Sequence, residues 1–374
     1  MGSVLLCSCA TTRHGSSVIP ASDLPAEVTI NKDAGRGNLV FVTLRLESGE
    51  ELPFLVDTGT SGTVLDKSLE PKLGKRVGTV TMGHWGAKDE ANQYAAPKLY
   101  LGSTTLMMSR TTISVLDFKD LSAHTGFPIM GALGMDVLGH YCIQLDFVAG
   151  KMRFLDSEHA DKRAWGKAFP LAALNARDAR PSLCENLFGA RGPHSLIDTG
   201  YSTDGWLMPR YFQQWTNAAA RLAKGEVHSP NGSLGGETYP QVSLREEKVE
   251  SDGIGLPFLA RHLVTLDFPR RMLYLKRTSD GPLAEAGAAA AITFLRDLKE
   301  NSKLPGWSKD EHGEAKGVKT DAALSSTTID VLKTGDTSIY HYTVTGGSND
   351  SPRRLQKAWR TDQNDRTVEE YSIP

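Results

Sequence analysis

The chain has no long hydrophobic run. Nowhere in its 374 residues do the roughly 18 consecutive apolar residues of a membrane-spanning helix occur, so contact with a membrane is expected only through an anchor. Cysteine is scarce, with four in all, and none forms a CxxC pair. The 10 histidines make no HExxH helix, so no zinc site of recognisable spacing is present. Nor is there an excess of one charge: 42 basic against 44 acidic side chains leave a formal net charge of -2. That balance suggests no general affinity for nucleic acid or anionic membrane. No GxSxG elbow surrounds Ser61 or Ser202, which argues against a serine hydrolase.

What the chain does have is length enough for two or three modules, and an internal duplication. The segment Phe54-Leu55-Val56-Asp57-Thr58-Gly59 is reproduced by Ser195-Leu196-Ile197-Asp198-Thr199-Gly200. Downstream, Gly134 matches Gly255, Leu138 matches Leu259, and Leu145-Asp146-Phe147 matches Leu266-Asp267-Phe268. Two copies of one unit in the same order point to two like domains that work at their interface. Alternating apolar runs predict strands at Leu39–Leu46, Pro53–Val56, Arg76–Met82, Lys98–Leu101, Thr111–Val115 and Tyr141–Phe147, with a hairpin return at Lys151–Leu155. The second copy repeats that hairpin at His262–Phe268 and Met272–Leu275.

An apolar strand running into Asp-Thr-Gly has a physical logic. The strand fixes the carboxylate, Gly permits a tight turn, and the Thr hydroxyl and backbone can hydrogen-bond it. Chance would supply roughly 0.1 such triplets in a chain this long, so two, each after an apolar run, carry weight. Two facing carboxylates cannot both ionise, so such a pair holds one proton and one negative charge, and its titration belongs to the pair.

With these residues the sequence resembles the aspartic peptidases: Asp57-Thr58-Gly59-Thr60-Ser61 in one half, Asp198-Thr199-Gly200-Tyr201-Ser202 in the other. Ala132-Leu133-Gly134 and, less strictly, Gly253-Ile254-Gly255 look like that family's hydrophobic-hydrophobic-Gly motif. The resemblance spans about Asn38 to Arg277 and is closest to retropepsin-like domains of bacterial type fused in tandem. It implies an all-β catalytic unit of two pepsin- or retropepsin-like β-barrel lobes, and an endopeptidase in which Asp57 and Asp198 activate a water against a polypeptide substrate, with no metal or organic cofactor required. It also implies supporting roles for Thr58, Gly59, Thr60, Ser61, Thr199, Gly200 and Ser202, with Thr58 and Thr199 locking the two loops together. Tyr201 departs from the family's Ser or Thr, and Ser202 is the expected replacement hydroxyl. A flap is expected at Gly83-His84-Trp85-Gly86, against the plainer reading of Gly83–Gln93 as a surface loop. Two lobes in one chain imply a catalytic monomer. The competing class is a catalytically silent pepsin-fold module that binds peptide or protein.

The flanks are less telling. Leu6-Cys7-Ser8-Cys9 before Ala10 resembles a bacterial lipobox with Cys9 as the lipidated residue, although only Met1–Leu6 precede it, where a secretory signal has about 7–15 apolar residues. A lipid anchor at Cys9 would place the protein outside the cytoplasm, periplasmic or membrane-anchored; the alternative is an ordinary polar tail. Cys142 and Cys184 could pair or sit apart. The expected division is a truncated signal and linker over 1–37, a first lobe over 38–160, a second over 161–280, a linker helix over 281–300 and a small C-terminal α+β module over 301–374. In the linker helix Ile292, Leu295 and Leu298 recur at helical spacing, and in the module strands are predicted at Thr327–Leu332, Ser338–Thr345, Leu355–Arg360 and Thr367–Ile373. Tyr340, Tyr342, Trp359 and Tyr371 read as core rather than as a binding face. The last two strands resemble the closing hairpin of cystatin-like domains, a likeness of fold alone.

Overall fold

The computed structural model describes residues 19–84, 87–125, 128–175, 178–189, 191–219, 228–321, 326–346 and 352–373. Two compact units arise. One is built from the chain up to Gly35 with Leu39–Leu116 and Met130–Leu283, the other from Arg36–Asn38, Asp117–Ile129 and the chain from Ala284 onward.

The first unit holds three sheets. In the first of them nine strands run in the order Gly78–His84, Ala87–Ala95, Thr112–Leu116, Val64–Asp66, Gly131–Leu133, Glu51–Val56, Phe41–Arg45, Tyr100–Leu101, Thr104–Thr105. In the second, seven run Ala172–Asn175, Asp178–Glu185, Arg191–Asp198, Asp252–Gly255, Gly205–Leu207, Glu237–Glu246, His228–Leu234. The duplication read in the sequence is here a duplication of pairing. Glu51–Val56 runs parallel to Gly131–Leu133, which runs antiparallel to Val64–Asp66. Arg191–Asp198 runs parallel to Asp252–Gly255, which runs antiparallel to Gly205–Leu207.

A third sheet joins the halves. Its order is Val28–Thr29, Lys151–Phe154, Cys142–Asp146, His262–Asp267, Met272–Arg277, Lys167–Pro170, antiparallel throughout. At its centre Gln144 lies opposite Thr265 and donates from Nε2 to Thr265 Oγ1 at 3.0 Å. These are the same position in the two copies, so the axis of the duplication passes between them. Ile143, Leu145, Val264 and Leu266 are buried around that pair, which ties the halves by apolar burial as well as by strand pairing.

The expected linker over 1–37 is corrected from Val28 onward. Val28–Thr29 is an edge strand of the joining sheet, Ile30 and Ala34 are buried, and Asn31 accepts from the Phe41 amide at 2.8 Å. Two paired residues are too few to make a visible alternation. Cys142 and Cys184 are not joined in a disulfide, the first being buried and the second half-buried.

The second unit lays the helix Gly287–Glu300 on a five-stranded antiparallel sheet, Gly313–Asp321, Ser326–Lys333, Ile339–Thr345, Arg354–Thr361 and Thr367–Glu370, in chain order. Ala291 and Leu295 of the helix pack on Ile329, Tyr340, Tyr342, Val344, Leu355 and Ala358. Strand alternation explains the choice, since Tyr340, Tyr342 and Val344 point to one face and His341 and Thr343 to the other. Tyr340 and Tyr342 are core as expected and Tyr371 packs against it, but Trp359 is not part of that core: it stacks on His341 at 4.8 Å between ring centroids. The helix Lys119–Thr125 also belongs to this unit, packed on Gly313–Asp321, so the expected lobe over 38–160 is not one contiguous body.

Candidate active site

Both Asp-Thr-Gly triplets stand where a central strand ends. Asp57 follows Glu51–Val56 and its amide donates to Leu133 O at 3.0 Å, while Asp198 is the last residue of its strand, opposite Gly255. The hydrophobic-hydrophobic-Gly segments are therefore the parallel neighbours that fix each aspartate. Their glycine is required by close approach: a Cβ on Gly134 would lie 2.4 Å from the Gly62 carbonyl carbon, and one on Gly255 2.1 Å from Thr203 O.

The two turns face each other. A Cβ on Gly59 would fall 2.3 Å from Asp198 Cγ, and one on Gly200 2.6 Å from Asp57 Cγ. Each glycine is thus the floor against which the opposite carboxyl rests, and no other residue fits there. Within each turn the glycine amide donates to its own aspartate, Gly59 N to Asp57 Oδ1 and Gly200 N to Asp198 Oδ1, both at 2.8 Å. Thr58 and Thr199 are buried beneath and bonded reciprocally across the halves.

Each carboxyl keeps a partly exposed edge while protein crowds its other sides. Burial pushes Asp57 up to about 6, against the pull of the Gly59 and Thr60 amides, a hydrogen bond with Asp198 and the charge of Arg180. Burial and then the neighbouring Asp57 charge hold Asp198 well above the ordinary carboxylate range, against the Gly200 amide and Arg180. Such a pair carries one proton and one negative charge over a range of pH.

The remaining expected residues separate. Thr60 Oγ1 donates to Gly62 O at 3.2 Å, and exposed Ser61 accepts from Arg110 Nη2 at 3.3 Å. In the second turn the hydroxyl expected of Ser202 is supplied one residue later: Thr203 Oγ1 donates to Gly205 O at 3.2 Å, repeating the Thr60 bond, and Ser202 is exposed. The second turn is longer than the first, with an added residue before the strand position that pairs with Gly253. Tyr201, whose carbonyl accepts from the Leu256 amide as that of Thr60 does from the Met135 amide, keeps the place of Thr60. Tyr201 is turned onto Trp206 at 4.5 Å between ring centroids, and its phenol donates to Glu247 at 3.0 Å.

Gly83 and His84 end a strand that pairs antiparallel with Ala87–Ala95, Gly83 opposite Lys88 and His84 opposite Ala87, so Gly83, His84 and 87–93 are strand rather than irregular loop. Trp85 and Gly86, and likewise Cys9, fall outside the described residues. Among the described residues no cluster of three His, Cys, Asp or Glu side chains suits a metal.

Sequence reasoning missed Arg180. Its Nη1 donates to Gly59 O at 2.7 Å, and its Nε and Nη2 bond both oxygens of Asp178. A lone Arg in a strand of mixed character carries no local signal of that reach.

Comparison with known proteins bears on the first half of this site. Residues 42–137 match the family model described as aspartyl protease. The match takes in the Asp57 turn and its Gly134 neighbour but stops short of Asp198. No curated protein matches the chain.

Proposed function

We propose that the protein is an aspartic endopeptidase of bilobed, retropepsin-like type, in which Asp57 and Asp198 share one proton and activate a water. The observation that carries the reading is the reciprocal seat of each carboxyl on the other turn's glycine, which puts two coupled acids on one axis. The ionised carboxylate takes a proton from the water, the water attacks the peptide carbonyl, and the protonated partner donates to the carbonyl oxygen. Thr58 and Thr199 hold the turns, and the hairpin Gly78–His84 with Ala87–Ala95 is the candidate flap. We place the protein outside the cytoplasm, held by a lipid at Cys9 and acting as a monomer on polypeptides; the lobes and the cystatin-like reading of the C-terminal unit belong to the same proposal.

Tyr201 favours a second reading, a silent peptide-binding module, because a phenol committed to Glu247 stands where the resemblance implies a small hydroxyl. Casein cleavage from acidic to neutral pH separates the two. Loss of cleavage in Asp57→Asn, in Asp198→Asn and with a statine-type mimic supports the peptidase, whereas a folded wild type that cleaves nothing at any pH favours the binding module.

A further inference from the structure

Arg180 breaks the twofold pattern of the site. Its strand pairs Ser182 with Leu196, as Phe41 pairs with Leu55 in the first half. Two residues before each of those positions stand Arg180 and Leu39, so the second half carries a cation where the first carries a buried leucine. The guanidinium reaches across the duplication to Gly59 O, in the turn of the opposite aspartate, at 2.7 Å. Asp178 braces it from behind through Nε and Nη2.

Of the five N–H donors of an arginine, one is spent on the Asp57 turn and at least two on Asp178. Side-chain exposures of 28 % for Arg180 and 19 % for Asp178 show a group held by protein rather than extended towards solvent. That favours a fixed internal charge over a residue free to recruit an acidic substrate. The charged groups around the pair in the described residues are few: Arg180 from the strand Asp178–Glu185, Asp178 behind it, and Arg110 farther along the first turn at Ser61. The turns themselves present the amides of Gly59, Thr60 and Gly200.

We infer that Arg180 is a positioning residue of the aspartate pair: it clamps the Asp57 turn through Gly59 and supplies the fixed positive charge that keeps one net negative charge on the two carboxyls. The inference rests on the proposed pairing of Asp57 with Asp198, yet its electrostatic part does not require turnover. Burial alone drives both carboxyls towards neutrality, and a pair with no negative charge has no base. Arg180 opposes that on both members, and the Gly59 contact keeps its distance to them constant.

The test titrates protein labelled with 13C at the aspartate carboxyl, the two signals being assigned by their loss in Asp57→Asn and Asp198→Asn, alongside the pH profile of casein cleavage. In Arg180→Met both titration steps and both limbs of the profile should move to higher pH by about one unit, the low end of a neighbouring charge's effect because Asp178 offsets part of it. Arg180→Lys should keep the wild-type midpoints while lowering the maximum rate, since it keeps the charge and loses the planar fork. The double variant Asp178→Asn, Arg180→Met should still shift upward. Midpoints unchanged in Arg180→Met, or a shift that vanishes in the double variant, would overturn the inference. Failure of the peptidase reading is visible separately, as cleavage that survives in Asp57→Asn and Asp198→Asn or is absent in wild type, while the titration still reports on Arg180.

Discussion

Thr58 and Thr199 bond each other's backbone in mirror fashion. Thr58 Oγ1 accepts from the Thr199 amide at 3.1 Å and donates to Ile197 O at 2.7 Å; Thr199 Oγ1 accepts from the Thr58 amide at 3.1 Å and donates to Val56 O at 2.6 Å. Each hydroxyl therefore satisfies one buried donor and one buried acceptor belonging to the other half. The position of each aspartate depends on the opposite strand through a single side chain.

Removing one hydroxyl by Thr58→Val or Thr199→Val keeps the shape and orphans two buried backbone groups. We expect a loss of roughly 2–4 kcal/mol of stability for either, read by urea unfolding. The double variant should cost less than the sum of the singles, because the two hydroxyls serve one network. Strict additivity would show that the two do not act together.

The raised carboxyls give a sign to the pH dependence. Because burial holds Asp57 up at about 6, the folded protein binds more protons than the unfolded chain between about pH 4 and that value. The pair's contribution to stability is therefore most favourable below this window and falls as pH rises through it. Asp57→Asn should then raise stability at pH 7 by roughly 1–3 kcal/mol while abolishing cleavage, and its gain over wild type should shrink towards pH 4. Thermal melts across that range decide it; a variant less stable than wild type at pH 7 would contradict the assignment.

Cleavage should follow the same titration. The pair acquires its single negative charge as pH rises through about 6, so activity should climb there and decline only where Asp198, held higher by burial and by Asp57, gives up its proton. An optimum near pH 3 would mean that the pair is far more solvated than it is here.

Tyr201 supplies a test of the second turn. Tyr201→Phe keeps the ring on Trp206 and loses the bond to Glu247, with an expected cost of about 1 kcal/mol and little change in kcat. Tyr201→Ala also removes the ring and should change KM for peptide substrates more than kcat if that ring borders the substrate. Equal loss of kcat in both variants would instead tie the phenol to the chemistry.

Deeper in the second half, Arg261 and Asp204 form a fully enclosed ion pair at 2.9 Å, with side-chain exposures of 0 % and 5 %. Arg261 also bonds Pro240 O and Gln241 O, and Asp204 accepts from the Ser243 amide. Asp204→Asn leaves the guanidinium without its counter-charge and should cost about 3–5 kcal/mol in chemical unfolding.

Much of the first unit was legible because its information is local and repeated. Phe54–Gly59 and Ser195–Gly200 announce themselves as a pair, and the hairpins at Cys142–Asp146 and His262–Asp267 carry strong apolar alternation. What escaped was weakly patterned or dependent on partners distant in sequence. The edge strand Val28–Thr29 exists only because Lys151–Phe154 offers it a ladder. The polar strand Ala87–Ala95 exists because it is paired on both sides, and Trp359 left the core because strand parity turned it to the other face.

The sequence alone determined the duplication, the two Asp-Thr-Gly turns and the strand that feeds each, since apolar runs, turn glycines and a repeated order are properties of neighbouring residues. Only the tertiary structure decided that Gly59 is the seat of Asp198 and Gly200 that of Asp57, that Thr203 takes the bond expected of Ser202, and that Arg180 reaches the opposite turn. Apart from the Thr203 bond, the contacts across the halves join residues 121 to 143 positions apart, and no local pattern encodes a distance that exists only after the strands Cys142–Asp146 and His262–Asp267 have closed the two halves on each other.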